Sequence, residues 1–305
     1  MRYIVWIFSL IIFSSCEDFF RTTVKVDPPP YVKGMVVNLY IDDVDTLLKA
    51  SVSHNVGSLD PVKEISQLLL PDATVEILDE QENLVLTMDT VMPQGGENMI
   101  NFICRLDTAF GGTGRRFTLQ VTHPEYGVAT AVQTMPRKPV ISHPVYKAQA
   151  GYNDYSGGYG LLSFDIQDIA GEENFYQISA FYLDPDNGQP YYLTLESDNP
   201  LFDHALDWSI LMQDKTFDGE SYPVQLKVYG PYVDENDTPV EDAKVFVDIR
   251  SVTKDYYLYA LSLERADEAE DIGLFVEPVQ VYDNVTNGFG IFALSARNVV
   301  LAGKE

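Results

Sequence analysis

Run after run of this chain alternates apolar and polar residues and then stops at Pro, Gly, Asn or Asp. That pattern leaves little choice of fold. In the first half the runs are 31–41, 73–78, 84–89, 99–106, 116–122 and 129–135. In the second half they are 144–149, 160–167, 175–183, 191–196, 223–229 and 245–252, with closing runs at 278–282 and 289–293 around the turn pair Asn287-Gly288. A period of two puts alternate side chains on opposite faces of a strand, so each run reads as a half-buried β-strand. Many short strands with turn residues between them predict an all-β fold of two β-sandwich-like units, the first Ig-like. We place the first unit at 31–135 and the second at 140–300, joined by the proline-rich linker Met135-Pro136-Arg137-Lys138-Pro139. Residues 61–70 read as a short helix or an irregular crossover. One stretch breaks the β pattern late in the second unit. Tyr256, Tyr257, Ala260, Leu261 and Glu264 fall at helical spacing, Pro and Gly are absent, and Thr253 stands where a cap would. This predicts an α-helix at about 253–268.

The N-terminus is of another kind. Arg2 precedes an apolar run from Tyr3 to Phe13, followed by Ser14, Ser15 and Cys16. The run is too short to span a bilayer, which takes about 20 residues. A basic start, a short apolar core and small residues make a secretory leader. With a cysteine at the cleavage point it resembles a bacterial lipoprotein signal, in which residues 1–15 are removed and Cys16 is acylated. Two or more acyl chains hold a protein stably on a membrane, since each buried CH₂ contributes about 0.8 kcal/mol. Residues 16–30, with Pro28, Pro29 and Pro30, then form a stiff lipidated tether.

Composition excludes one class of partner. Twenty Lys and Arg stand against 46 Asp and Glu, a formal net charge of −26. Such a field repels phosphate backbones, so nucleic acid is not expected. With Cys16 lipidated, Cys104 is alone and forms no intrachain disulfide; it lies in an apolar strand pattern and reads as a small buried hydrophobe. The chain has no Gly-x-Ser-x-Gly elbow, no His-Glu-x-x-His, no phosphate-cradling loop and no dinucleotide fingerprint. His54, His123, His143 and His204 are not at metal-ligand spacing. Asp184-Pro185-Asp186-Asn187-Gly188 fails the calcium-loop pattern, because Gly188 falls at the fifth position and Leu195 at the twelfth. No catalytic residue, metal site or cofactor is therefore expected, and the chain reads as a non-enzyme. What remains is Gly151 to Gly160, where Tyr152, Tyr155 and Tyr159 stand among Gly, Ser and Asn. That composition offers rigid contact area on adaptable turns and makes these tyrosines the candidate ligand-binding residues, with Tyr191, Tyr192 and Trp208 as a possible extension of their surface.

The C-terminal run Phe275-Val276-Glu277-Pro278-Val279-Gln280-Val281-Tyr282-Asp283-Asn284-Val285-Thr286-Asn287-Gly288-Phe289-Gly290-Ile291-Phe292 resembles the closing motif of a Bacteroidota lipoprotein family, domain of unknown function 4249. Asn174-Phe175-Tyr176, Phe217-Asp218-Gly219 and Asp255-Tyr256-Tyr257-Leu258-Tyr259 fit the same family in order. Glu17 and Asp18, just after the cysteine, also resemble the surface-export signal of that phylum. The resemblance implies an outer-membrane, lipid-anchored protein, surface-exposed where that export signal acts, and a role as a non-catalytic accessory to a TonB-dependent receptor. A structural or adhesive cell-surface role is the alternative. It implies no activity and no site residues. The physical reading of Gly288 and Gly290 is a tight hairpin with close backbone approach, against which Phe289 and Phe292 pack.

Overall fold

A computed structural model of the chain describes residues 31–57, 60, 64–93, 99–153, 157–183, 188–205, 208–230, 244–272 and 279–304. The leader, Cys16 and the 16–30 tether lie outside the described residues, as do Tyr155 and residues 184–187. Residues 31–32, 56–57 and 60 belong to a small compact unit of their own, in which the Gly57 amide donates to Asp60 Oδ2. All that follows concerns the other unit.

The protein is all-β, with three sheets and one α-helix among the described residues. The strands are β1 (Met35–Asp42), β2 (Leu47–His54), β3 (Thr74–Leu78), β4 (Leu84–Thr87), β5 (Asp89–Thr90), β6 (Phe102–Arg105), β7 (Arg116–His123) and β8 (Gly127–Thr134) in the first half. The second half holds β9 (Val140–Asn153), β10 (Gly157–Gln167), β11 (Phe175–Leu183), β12 (Pro190–Tyr192), β13 (Thr194–Glu196), β14 (Phe202–Ala205) and β15 (Ser209–Gln213). It continues with β16 (Ser221–Tyr229), β17 (Val245–Val252), helix α1 (Lys254–Ile272), β18 (Phe289–Leu301) and β19 (Gly303–Lys304). Residues 65–68 form a single 3₁₀ turn.

One large sheet serves both halves. Its order is β14-β15-β11-β17-β18-β1-β2-β6-β5, with β12 paired to β11. A four-stranded sheet, β4-β3-β7-β8, supplies strands to the first core, and a five-stranded sheet, β13-β16-β10-β9-β19, supplies strands to the second. The first core is built from Val37, Leu39, Val75, Leu119, Val121 and Phe292 among others. The second is built from Leu162, Phe164, Ile178, Leu226, Val247 and Ile249 among others. Each contributing strand turns alternate residues inward, as the period of two requires.

The seam between the halves is the parallel pair β1–β18, in register from Val36 opposite Phe289 to Asp42 opposite Ser295. Sequence alternation anticipates two closing strands around Asn287-Gly288. Instead, residues 279–285 are irregular and β18 runs on to Leu301. The glycines have the anticipated cause but a different partner. Gly290 has φ +101°, and a side chain there would overlap the Val37 carbonyl of the neighbouring parallel strand. Asn284 braces this turn by accepting from the Phe292 amide (2.9 Å) and donating to the Phe292 carbonyl (2.9 Å). The 136–139 linker is tied down: Asn298 donates to the Pro139 carbonyl, and Lys138 pairs with Asp43.

Helix α1 extends four residues past its expected end. Thr253 starts it through its backbone, accepting from the Tyr257 amide at 3.1 Å, while its buried hydroxyl makes no bond. Tyr257 and Ala260, three apart on one face, pack with Phe175, Leu211 and Val252 on the large sheet.

Candidate functional site

The face of the large sheet that carries α1 is opposite the one that carries Val247 and Ile249. Strand pairing dictates what appears on it. Phe175, Val252, Ser295 and Asp42 form one cross-strand row; Gln177, Arg250 and Arg297 form the next; Ser179 and Asp248 follow. Polar residues at alternate positions, such as Asp248 and Arg250 on β17, ordinarily mark a solvent face. Here Asp248 is 0% exposed.

Arg250 and Arg297 stand directly opposite each other, an arrangement that destabilises a sheet unless anions intervene. Asp248 intervenes. Arg297 donates to both of its carboxylate oxygens, Nε to Oδ1 at 2.9 Å and Nη2 to Oδ2 at 2.7 Å. Arg250 Nη2 donates to Oδ2 of the same carboxylate at 3.2 Å, and Arg250 Nε to Asp42 Oδ2 at 3.2 Å. Ser295 Oγ donates to Asp42, and the Tyr192 hydroxyl reaches Asp248 at 3.4 Å. Burial disfavours the Arg250 charge, but the Asp42 and Asp248 charges outweigh it and hold the guanidinium above its ordinary value. Two arginines and two aspartates thus cancel within one hydrogen-bonded ladder.

Above this ladder is a cavity of about 490 Å³. That lies within the range of small-molecule sites, about 300–1,000 Å³. Its floor includes Asp42, Arg250, Gln177, Ser179 and Ser295. Its walls are aromatic. Tyr40 from β1 meets Tyr256 and Tyr259 from α1, with ring centroids 6.0 and 6.3 Å apart. Tyr192 and Trp208 line it from β12 and from the turn before β15. Burial and a hydrogen bond with Tyr259 push the Tyr40 hydroxyl well above the usual tyrosine range, so it stays neutral.

Trp208 is unusual twice over. It is 57% exposed, and its φ is +66°. Ala205 pairs with Ser209, and Trp208, the residue just before β15, is left-handed. Glycine is the usual occupant of that conformation. A non-glycine residue held there costs about 1–3 kcal/mol, and strain of this kind clusters at functional sites.

The α1 wall is aimed by Asp255. Its carboxylate accepts from the Tyr282 hydroxyl (2.6 Å), from Asn284 Nδ2 (3.0 Å) and from Gln133 Nε2. Burial and this bond push Tyr282 up to about 12. The Tyr257 hydroxyl donates to Asp203 Oδ2 at 2.7 Å. The family-like pieces therefore meet in space: the acid that opens the helix binds the Tyr and Asn of the closing motif.

The second pair of pieces meets elsewhere. Asp168, Asp214 and Asp218 hold carboxylate oxygens within 4.8 Å of one another, the only group among the described residues spaced to hold a metal ion. Each acid already has protein donors. Asp168 accepts from the Tyr176 hydroxyl (2.5 Å) and the Gly219 amide (2.7 Å), Asp214 from Asn174, and Asp218 from the Gly171 amide. These bonds tie Asn174-Phe175-Tyr176 to Phe217-Asp218-Gly219, and they account for the acids without an ion.

The described residues of the Tyr-Gly segment lie on β9 and β10, which pair antiparallel. Tyr152 pairs with Gly158 and Tyr159 with Gly151, so the two tyrosines point to opposite faces. Tyr152 is 73% exposed, whereas the Tyr159 ring lies across Gly151 and packs against Tyr229 at 5.9 Å. The cavity brings together Tyr192 and Trp208, which were expected to extend this surface, with Tyr40, Tyr256 and Tyr259, which sequence reasoning left as structural. Tyr256 and Tyr259 stand three apart on one helix, and that spacing was the available signal. Cys104 is half-buried beside the first core, and burial pushes its thiol up, away from nucleophilic use. His123 is buried with Nε2 2.9 Å from Asp72, and His54 stacks on Tyr126.

These features define a class, an all-β protein with an aromatic cavity laid over a self-neutralised ionic floor. A family model matches residues 21–299, and the chain belongs to that family, described as domain of unknown function (DUF4249). No curated protein matches the chain. Among solved structures it is similar to a chain described as three N-terminal domains of the bacteriophage RB49 highly immunogenic outer capsid protein. The identity is 11%, over 90% of this chain and 70% of that one, with a TM-score of 0.23. At that score nothing follows from the likeness.

Proposed function

We propose that this protein is a lipid-anchored, non-catalytic binding protein of the outer membrane of Bacteroidota. In this reading Cys16 carries the acyl chains and the second half captures a ligand or partner as an accessory to a TonB-dependent receptor. The observation that carries the binding role is the aromatic cavity with Trp208 held in a strained, exposed conformation. A wall residue kept at a cost in backbone energy is hard to explain by stability alone. The non-catalytic role is supported by the floor, where both carboxylates and both guanidinia are already engaged with one another. The leader and the family resemblance support the location and the receptor.

The test is to tag the protein at its C-terminus, solubilise outer membranes in mild detergent and identify what co-purifies. A TonB-dependent receptor recovered in stoichiometric amount is the expected result. Recovery of the protein alone, from an extract that contains the receptor, would overturn the accessory role and leave adhesion as the better reading.

A further inference from the structure

We infer that the cavity over β17 and β18 binds an uncharged, hydroxyl-bearing ring, that is, a neutral saccharide of one or two rings. This assignment rests on reading the cavity as a binding site and goes further by naming the chemistry of its ligand.

Three observations carry it. The first is charge. Arg250, Arg297, Asp248 and Asp42 cancel one another, so a ligand bringing its own charge would be desolvated with no free counter-ion on the floor. Tyrosine walls attract cations in general, but Asp42, the one carboxylate in the lining, is already paired with Arg250 and is not free to hold one. Arg250 is likewise engaged by Asp42 and Asp248, and an anion would also approach a chain of net charge −26.

The second is the pattern of polar groups. Gln177, Ser179, Ser295, Asp42 and Arg250 present hydroxyl, amide, carboxylate and guanidinium groups along the floor. A purely apolar ligand would strip water from the donor and acceptor capacity these groups keep beyond their bonds to one another, and return nothing. A polyhydroxylated ligand, donating and accepting at several positions, answers both kinds of partner.

The third is the placing of the aromatic rings. Tyr40 stands on β1, while Tyr192 on β12 and Trp208 in the turn before β15 flank β11 on its far side, four strand positions away in the sheet. At one strand spacing of about 4.8 Å each, the backbones that carry these rings are roughly 19 Å apart, and the polar floor lies between them. Flat rings at both ends and hydrogen-bonding groups between suit a ligand with apolar C–H faces and polar edges. A pyranose has that form.

Trp208 supplies its own reporter. The chain has two tryptophans, and the other, Trp6, lies in the leader. The full chain, in a detergent without a sugar headgroup, is titrated under tryptophan-selective excitation, with Trp208→Phe as the control that isolates the signal. The probes are glucose, galactose, mannose, maltose and cellobiose. Beside them run glucosamine and glucuronic acid as charged rings, indole as a planar apolar ring, and a longer maltodextrin to separate a free sugar from the end of a glycan.

We expect a saturable Trp208 response to at least one neutral sugar, with the charged analogue weaker by about tenfold or more. Trp208→Gly, followed by calorimetry, should weaken that sugar by about tenfold through loss of the stacking wall. Its melting temperature should not fall, because glycine adopts the left-handed position without strain. That separates a lost contact from a lost fold.

A charged ring binding as tightly as the neutral one overturns the inference, and so does indole saturating where no neutral sugar does. Either result leaves the cavity standing as a binding site. Trp208 emission that answers to no probe overturns the small-molecule reading with it, and leaves the receptor partnership to the co-purification.

Discussion

Asp214 is 5% exposed and shares its corner with Asp168 and Asp218, so its ionisation works against folding. Burial raises its carboxyl above the ordinary value of 3.8; the Asn174 bonds pull it back, and the two neighbouring carboxylates add to the rise. A carboxyl raised in the folded state contributes stability that is complete below its unfolded value and is lost as the pH climbs through the folded one. Asp214→Asn removes this dependence, because the amide oxygen can still accept from Asn174 while the amide nitrogen faces the two acids. The expected result is a melting temperature equal to wild type near pH 3.5 and increasingly above it towards pH 7, measured by circular dichroism across that range. A gap that narrows as the pH rises would sink this account. None of this was legible in the sequence, where Asp168, Asp214 and Asp218 are three acids among 46. Only the closing of two loops on each other makes them neighbours.

At the scale of elements, α1 forms for reasons the sequence states openly: helical spacing of Tyr256, Tyr257, Ala260 and Leu261, and no Gly or Pro. Its docking was less legible, because the residue that fixes it is polar and its partners are distant. Asp255 lies in the first turn, where a carboxylate is favoured by the helix dipole, and it accepts from Tyr282, Asn284 and Gln133. Replacing it with alanine strands those donors in a half-buried place. Hydrogen bonds to a charged group contribute about 1.5–3 kcal/mol each, so Asp255→Ala should cost about 3 kcal/mol or more. It should also loosen the Tyr256 and Tyr259 wall, visible as faster amide exchange in α1 than in β17. Unchanged protection of the helix would contradict the role given to Asp255. Strands show the same division. β11 and β17 match their expected limits, whereas β2 and the β14–β15 hairpin went unread. Ser51 and Ser53 are buried on β2, and β15 is apolar on both faces, so neither strand displays an alternation to read.

At the scale of the whole molecule, alternation and turns gave the all-β class and its sandwich-like layers, but not the sharing of one sheet between the halves. That sharing depends on a parallel pairing between the first described strand and the last long one, and no local pattern encodes a partner some 250 residues away. The pairing has a consequence for unfolding. Phe292 and Leu294 of β18 sit in the first core, while the same strand pairs with β17 of the second half. Neither core can open without breaking the seam, so the protein should melt in one cooperative transition. Leu119→Ala in the first core and Leu226→Ala in the second should each cost about 2–5 kcal/mol and shift that same transition. Gly290→Ala attacks the seam itself, forcing a side chain against the Val37 carbonyl at φ +101°. It should cost about 3 kcal/mol or more and split the melt into two steps, each then answering to only one of the core substitutions. Two steps already present in the unsubstituted protein, with Leu119→Ala moving one and Leu226→Ala the other, would mean that the shared sheet does not couple the halves.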